Sequence, residues 1–68
     1  NMKDITGKTL SLNQKVVTNL AGYVDRLCVC KVICFTGKKV RVSRGVEDFL
    51  KFPKQLAIVG EYNEKNPD

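Results

Sequence analysis

Residues 26–44 read RLCVCKVICFTGKKVRVSR, and this stretch decides the fold. Its first half is rich in valine, isoleucine and cysteine, a composition typical of a buried strand. Residues 39–44 alternate apolar and polar side chains, as a half-buried strand does. Gly37 lies between the two halves and permits the positive φ that a two-residue hairpin turn needs. The stretch therefore predicts a β-hairpin.

The alternation also predicts which side chains share a face of the hairpin. A two-residue turn and a ladder without irregularity give one face that is wholly apolar. That face holds Ile33, Phe35, Val40 and Val42. The other face holds Lys39 and Arg41 together with Cys28, Cys30, Val32 and Cys34.

Lys31 does not fit this alternation, because it shares the apolar positions of Val29 and Ile33. Three explanations stay open. The lysine reaches outward from the margin of the sheet, or a bulge resets the alternation, or the amine faces an acidic group across an oligomer interface.

The segments beside the hairpin predict a small α+β fold that is rich in strand. Residues 9–13 alternate like a strand, and residues 56–62 form the closing strand. Asn13 can cap a helix that ends near Gly22, although the β-branched run at 16–18 favours a strand. Residues 45–52 predict a short helix. We expect an antiparallel sheet of four or five strands with one or two short helices, in a split βαβ-like order. If the first helix is a strand, the same residues make a small curved barrel of five strands.

The length of 68 residues predicts one domain. The polar ends, residues 1–7 and 63–68, are expected to be flexible around a domain at 8–62. A core of this size is small, so we expect a homo-oligomer, most simply a homodimer.

The sequence favours a cytoplasmic location. The longest apolar run has four residues, at 32–35, which is too short for a membrane span. The first residues also lack the pattern of a secretory signal.

The three cysteines are predicted to be small buried residues. Their odd number argues against a disulfide framework and favours a reducing compartment. On one strand Cys28 and Cys34 lie ~20 Å apart, so they cannot share a metal ion. The chain has no histidine to complete a site. We therefore predict no metal site and no cofactor.

The acidic residues do not predict an active site. Catalysis by proton transfer needs a tunable group held by a partner, and histidine is absent. Most of the seven acids lie in the terminal segments or at the start of the second predicted helix. We therefore expect no enzymatic activity.

The basic residues are concentrated in the hairpin. Residues 26–44 contain six basic side chains and no acid, whereas the whole chain has a formal net charge of +5. These six predicted nucleic-acid-binding residues are Arg26, Lys31, Lys38, Lys39, Arg41 and Arg44. Such a ribbon can contact phosphates, and Tyr23 and Tyr62 are the aromatic side chains able to stack on bases. The pattern predicts an accessory or regulatory nucleic-acid-binding protein.

A second hypothesis is a protein-interaction module, a small inhibitor or adaptor that acts as a homo-oligomer. It would dock through an exposed strand edge or through the apolar surface near Phe49, Leu50 and Phe52.

Overall fold

The structure, a computed structural model, describes residues 1–62. These residues form five strands, which are β1 (Gln14–Thr18), β2 (Cys28–Thr36), β3 (Lys39–Arg44), β4 (Glu47–Lys51) and β5 (Ala57–Glu61). The strands make one antiparallel sheet in the order β4-β3-β2-β1-β5. A 3-10 turn at Pro53–Gln55 precedes the last strand. The strand-rich fold and the hairpin at its centre are confirmed.

The predicted helices are not confirmed in residues 1–62. From residue 14 the chain forms β1 instead, as the β-branched run at 16–18 had favoured. Asn13 has a φ of 69°, so it turns the chain into the strand and does not cap a helix. The strand expected at 9–13 is limited to a bridge between Lys3 and Thr9.

The second predicted helix, over 45–52, is also a strand. Gly45 has a φ of 64° and begins a two-residue turn that joins β3 to β4. Arg44 and Glu47 face each other across this turn, and the pairing continues regularly to Val40 and Lys51. The turn that Gly45 permits therefore outweighs the preference of the acidic residues Glu47 and Asp48 for the first turn of a helix.

A β-bulge inverts the predicted faces of the part of β2 before it, whereas Cys34 and Phe35 keep the faces predicted for them. Val32 pairs with Val42, but the next pair is Cys34 with Arg41, so Ile33 is an extra residue. One extra residue inverts the alternation on its strand. The prediction that Val32 lies opposite the face of Val40 and Val42 was therefore wrong, and all three are fully buried together.

The core lies on one side of the sheet, which we call the inner face. Cys28 and Cys30 are buried there, and Cys34, beyond the bulge, is half-buried. The prediction of buried cysteines is thus confirmed for the first two. The buried apolar residues are Leu10, Val16, Leu20, Cys28, Cys30, Val32, Val40, Val42 and Leu56.

Asp4 attaches the N-terminal segment to the sheet. Its carboxylate is fully buried and accepts hydrogen bonds from the Ile58 N–H at 2.7 Å and the Lys8 N–H at 2.9 Å. The N–H and hydroxyl of Thr6 donate to it at 2.9 and 2.7 Å. The Ile5 N–H also donates to the Leu56 carbonyl at 2.9 Å. Within residues 1–7, predicted as a flexible end, Asp4 and Ile5 thus contact the start of β5, whereas 63–68 lie outside the described residues.

Stability should depend on the ionisation of Asp4. Burial alone raises the pKa of this carboxyl, but the hydrogen bonds from Ile58, Thr6 and Lys8 outweigh burial and lower it from 3.8 to about 2. Because the folded pKa lies below the unfolded one, the carboxylate stabilises the fold at pH values above 3.8. This contribution is lost as the pH falls from there toward about 2. Urea denaturation at a series of pH values should show the free energy of unfolding decline in this window. An Asp4→Asn variant with the same decline would contradict the assignment.

Candidate nucleic-acid interface

Four basic side chains project from the side of the sheet opposite the core. On β1, β2 and β3 the residues that alternate with the buried ones are half-buried and point outward. No acidic residue occupies an outward position on these three strands. We call this surface the outer cationic face, and its residues are Lys15, Lys31, Lys39 and Arg41.

Lys15 and Lys31 are direct neighbours across two strands. They are Cα partners in the β1–β2 pairing, and Ser43 on β3 is the next residue in the same row. Like charges in directly opposite positions destabilise a sheet. Arg41 lies two residues from Ser43 on the same side of β3. The arrangement thus concentrates positive charge on this face.

A glycine on β5 and an aspartate on β4 lie at the two margins of this face. On β5 the residue opposite Lys15 is Gly60, whose missing side chain leaves the surface beside the lysine open. On β4 the residue opposite Ser43 is Asp48, an exposed acid. The outer cationic face therefore ends at β4. Within residues 1–62, Lys15 and Arg41 have no ion-pair partner.

Two aromatic rings lie beside the lysines of this face. The Lys31 Nζ is 5.4 Å from the centroid of the Tyr62 ring, and the Lys39 Nζ is 4.9 Å from that of Phe52. Tyr62 is held at the start of β1, because its N–H donates to the Asn13 carbonyl at 2.9 Å. Cations at these distances from a ring are attracted by its face. The contacts orient the two long side chains.

The other three predicted residues lie away from this face. Lys38 is exposed in the turn between β2 and β3. Arg26 precedes β2 and forms an exposed ion pair with Asp25, with Nε and Oδ1 3.1 Å apart. At the same end of the hairpin, the Arg44 guanidinium lies 4.7 Å from the Tyr23 ring. The structure therefore brings three of the six predicted residues onto one surface.

Arg44 has a buried polar atom without a partner. Its Nε is inaccessible to solvent and makes no hydrogen bond within the described part of the chain. Buried donors are normally paired, and leaving one unpaired costs free energy. The contact with Tyr23 offsets part of that cost. This arginine thus packs against the end of the core.

Lys15 belongs to the site but was not predicted. It lies in the segment for which a helix was expected, where its distance from the hairpin could not be inferred. Once residues 14–18 form a strand beside β2, the position of Lys15 follows. The buried residues of this strand are Val16 and Thr18, and Lys15 alternates with them, so its side chain points outward.

A shallow pocket lies elsewhere on the molecule and is lined by Asn1, Met2, Leu10 and Phe35. None of these side chains can act as an acid or base near neutral pH. Among residues 1–62 no group of three or more histidine, cysteine, aspartate or glutamate side chains is placed to hold a metal ion. The same residues contain no helix long and apolar enough to span a membrane.

Residues 2–59 match the family described as Domain of unknown function (DUF7205), and the chain belongs to that family. No curated protein and no solved structure gives a significant match.

Proposed function

We propose that this domain is a non-catalytic accessory or regulatory protein that binds nucleic acid through the outer cationic face. The observation that supports this best is the direct pairing of Lys15 with Lys31, with Arg41 on the same face of the neighbouring strand. Neighbouring cationic side chains raise the local positive potential, which attracts phosphates and favours the release of their counterions.

The dimensions of the face suit a phosphodiester backbone. Neighbouring strands lie about 4.8 Å apart, so cations on β1, β2 and β3 span about 10 Å. Phosphates of one strand of a duplex rise ~3.4 Å each along the helix axis while they turn around it, so cations spread over this width can meet two or three of them. Lys15, Lys31 and Arg41 would each neutralise one phosphate, whereas Tyr62 would offer a ring to an unstacked base.

The dependence of affinity on salt tests the proposal. Three or four phosphate contacts predict a slope of log K against log salt concentration of about −2 to −4, because each contact releases condensed counterions. The measurement is fluorescence anisotropy with labelled single-stranded and double-stranded oligonucleotides over a series of salt concentrations.

Poly-glutamate of matched charge is the control for attraction to any polyanion. The proposal predicts that it competes weakly, because carboxylates on a flexible chain lack the regular spacing of phosphates. Absence of binding to every oligonucleotide at low salt would contradict the proposal. So would a salt-independent affinity, or equal competition by poly-glutamate.

A further inference from the structure

The two edges of the sheet differ in how they are covered. Along β5, the Ile58 N–H donates to the Asp4 carboxylate and the Leu56 carbonyl accepts the Ile5 N–H. The N-terminal segment therefore covers the first part of that edge. Within residues 1–62 no strand lies beyond β4, whose side chains are among the most exposed of the sheet. An uncovered edge presents unpaired backbone groups to a second strand.

The turn fixes which backbone groups of β4 point outward. Arg44 and Glu47 close a two-residue turn, so they form a hydrogen-bonded pair, and such pairs alternate along an antiparallel ladder. The backbone N–H and C=O of Phe49 are then hydrogen-bonded to β3 as well. Asp48 and Leu50 direct their N–H and C=O groups away from β3. These four groups can pair with another extended chain.

We propose that two copies of this chain dimerise by antiparallel pairing of their β4 strands, centred on Phe49. In this register the outward N–H and C=O groups of Asp48 pair with those of Leu50 in the second copy. By symmetry, the groups of Leu50 pair with those of Asp48 in the second copy, so all of these groups are hydrogen-bonded. The two Phe49 side chains, which are half-buried on the inner face, face each other across the junction. Leu50, 42% exposed, becomes covered.

The charges of β4 complement each other in this register alone. Glu47 lies opposite Lys51 of the second copy at both ends of the junction. A register centred on Asp48 would place the two copies of this acid opposite each other, and one centred on Leu50 would place Lys51 opposite Phe49. Opposite charges across a strand pair stabilise it and like charges destabilise it.

Neither charged residue is committed to another ion pair. Within the described part of the chain, Glu47 and Lys51 form no salt bridge. The Lys51 Nζ donates to the Asn19 Oδ1 at 3.3 Å, and an ammonium group has two further donors for a carboxylate. Dimerisation would therefore add an interaction without breaking one.

The test is the mass in solution measured by sedimentation equilibrium over a range of concentrations. The wild-type chain should approach twice its mass of 7.6 kDa as the concentration rises. Glu47→Lys and Lys51→Glu should each raise the dissociation constant about tenfold or more, because each places like charges opposite each other twice. The double variant should recover most of the affinity, because it restores both pairs with the charges exchanged.

A matched control separates this edge from the rest of the surface. Glu61→Lys changes the net charge as Glu47→Lys does, but it lies at the end of β5, and it should leave the dissociation constant unchanged. Circular dichroism at low concentration checks that each variant folds. A wild-type chain that stays monomeric at millimolar concentration would overturn the proposal. So would single variants that dimerise like the wild type, or a double variant no better than the singles. None of these results bears on nucleic-acid binding, which is a separate proposal.

Discussion

Replacing Asp4 with asparagine is expected to reduce the free energy of unfolding by about 2–4 kcal/mol at neutral pH. The carboxylate accepts four hydrogen bonds and is fully buried, so the variant must leave donors unsatisfied. An asparagine amide supplies one accepting oxygen, and its NH₂ group would face the N–H of Ile58 or the donors of Thr6 and Lys8. Because a core of this size supplies only ~3–5 kcal/mol, this loss is a large part of the stability, and the urea concentration at the midpoint of unfolding should fall markedly.

Urea denaturation at one fixed protein concentration measures this loss. Asp25→Asn is the matched control, because it makes the same chemical change at a side chain that is 73% exposed and that, among residues 1–62, pairs only with Arg26. We expect the control to lie within about 0.5 kcal/mol of the wild type. An Asp4→Asn variant as stable as this control would show that the carboxylate does not hold the N-terminal segment to β5.

The central hairpin was predictable because local signals agreed. The composition of β2, the alternation of β3 and the glycine between them all indicate the same structure. The bulge at Ile33 bears out one of the three explanations for Lys31, but the sequence could not choose among them, since one extra residue changes neither composition nor length noticeably. The bulge inverts the faces of β2 before it, so Lys39 and Arg41, which were predicted to share a face with Val32, lie opposite it.

Asp4 illustrates a limit of a different kind. Its most distant hydrogen-bond partner, Ile58, is 54 residues away in the sequence. A polar segment with few apolar residues is predicted to be a flexible end. The contacts that stabilise this one are made with backbone groups, which every residue has, so the composition does not reveal them. The prediction for 1–7 was therefore made without the information that places this segment.

The candidate site was predictable in part. The charge count located Lys31, Lys39 and Arg41, which share one surface, but it could not separate them from Arg26, Lys38 and Arg44. Charge along the chain records how many basic residues a segment has, whereas strand pairing decides which of them are neighbours. Lys15 joins the site through pairing alone.

Neutralising the centre of the outer cationic face should abolish most nucleic-acid binding. A triple variant with Lys15→Gln, Lys31→Gln and Arg41→Gln is expected to bind about 100- to 1,000-fold more weakly at ~0.1 M salt, because each lost phosphate contact removes about one logarithmic unit of counterion release. The slope of log K against log salt should become shallower by about three. These side chains are half-buried on the side of the sheet away from the core, so the fold should persist.

A second triple variant shows whether position or total charge matters. Replacing Lys3, Lys8 and Lys54 with glutamine also removes three positive charges from a chain of net charge +5, at exposed positions outside the strands. Long-range attraction responds to the total, so this variant should lose affinity only a few-fold, with an almost unchanged salt slope. Equal losses in both variants would mean that the protein attracts nucleic acid through net charge alone. Retained affinity in the first variant would show that the pairing of Lys15 with Lys31 has no part in binding.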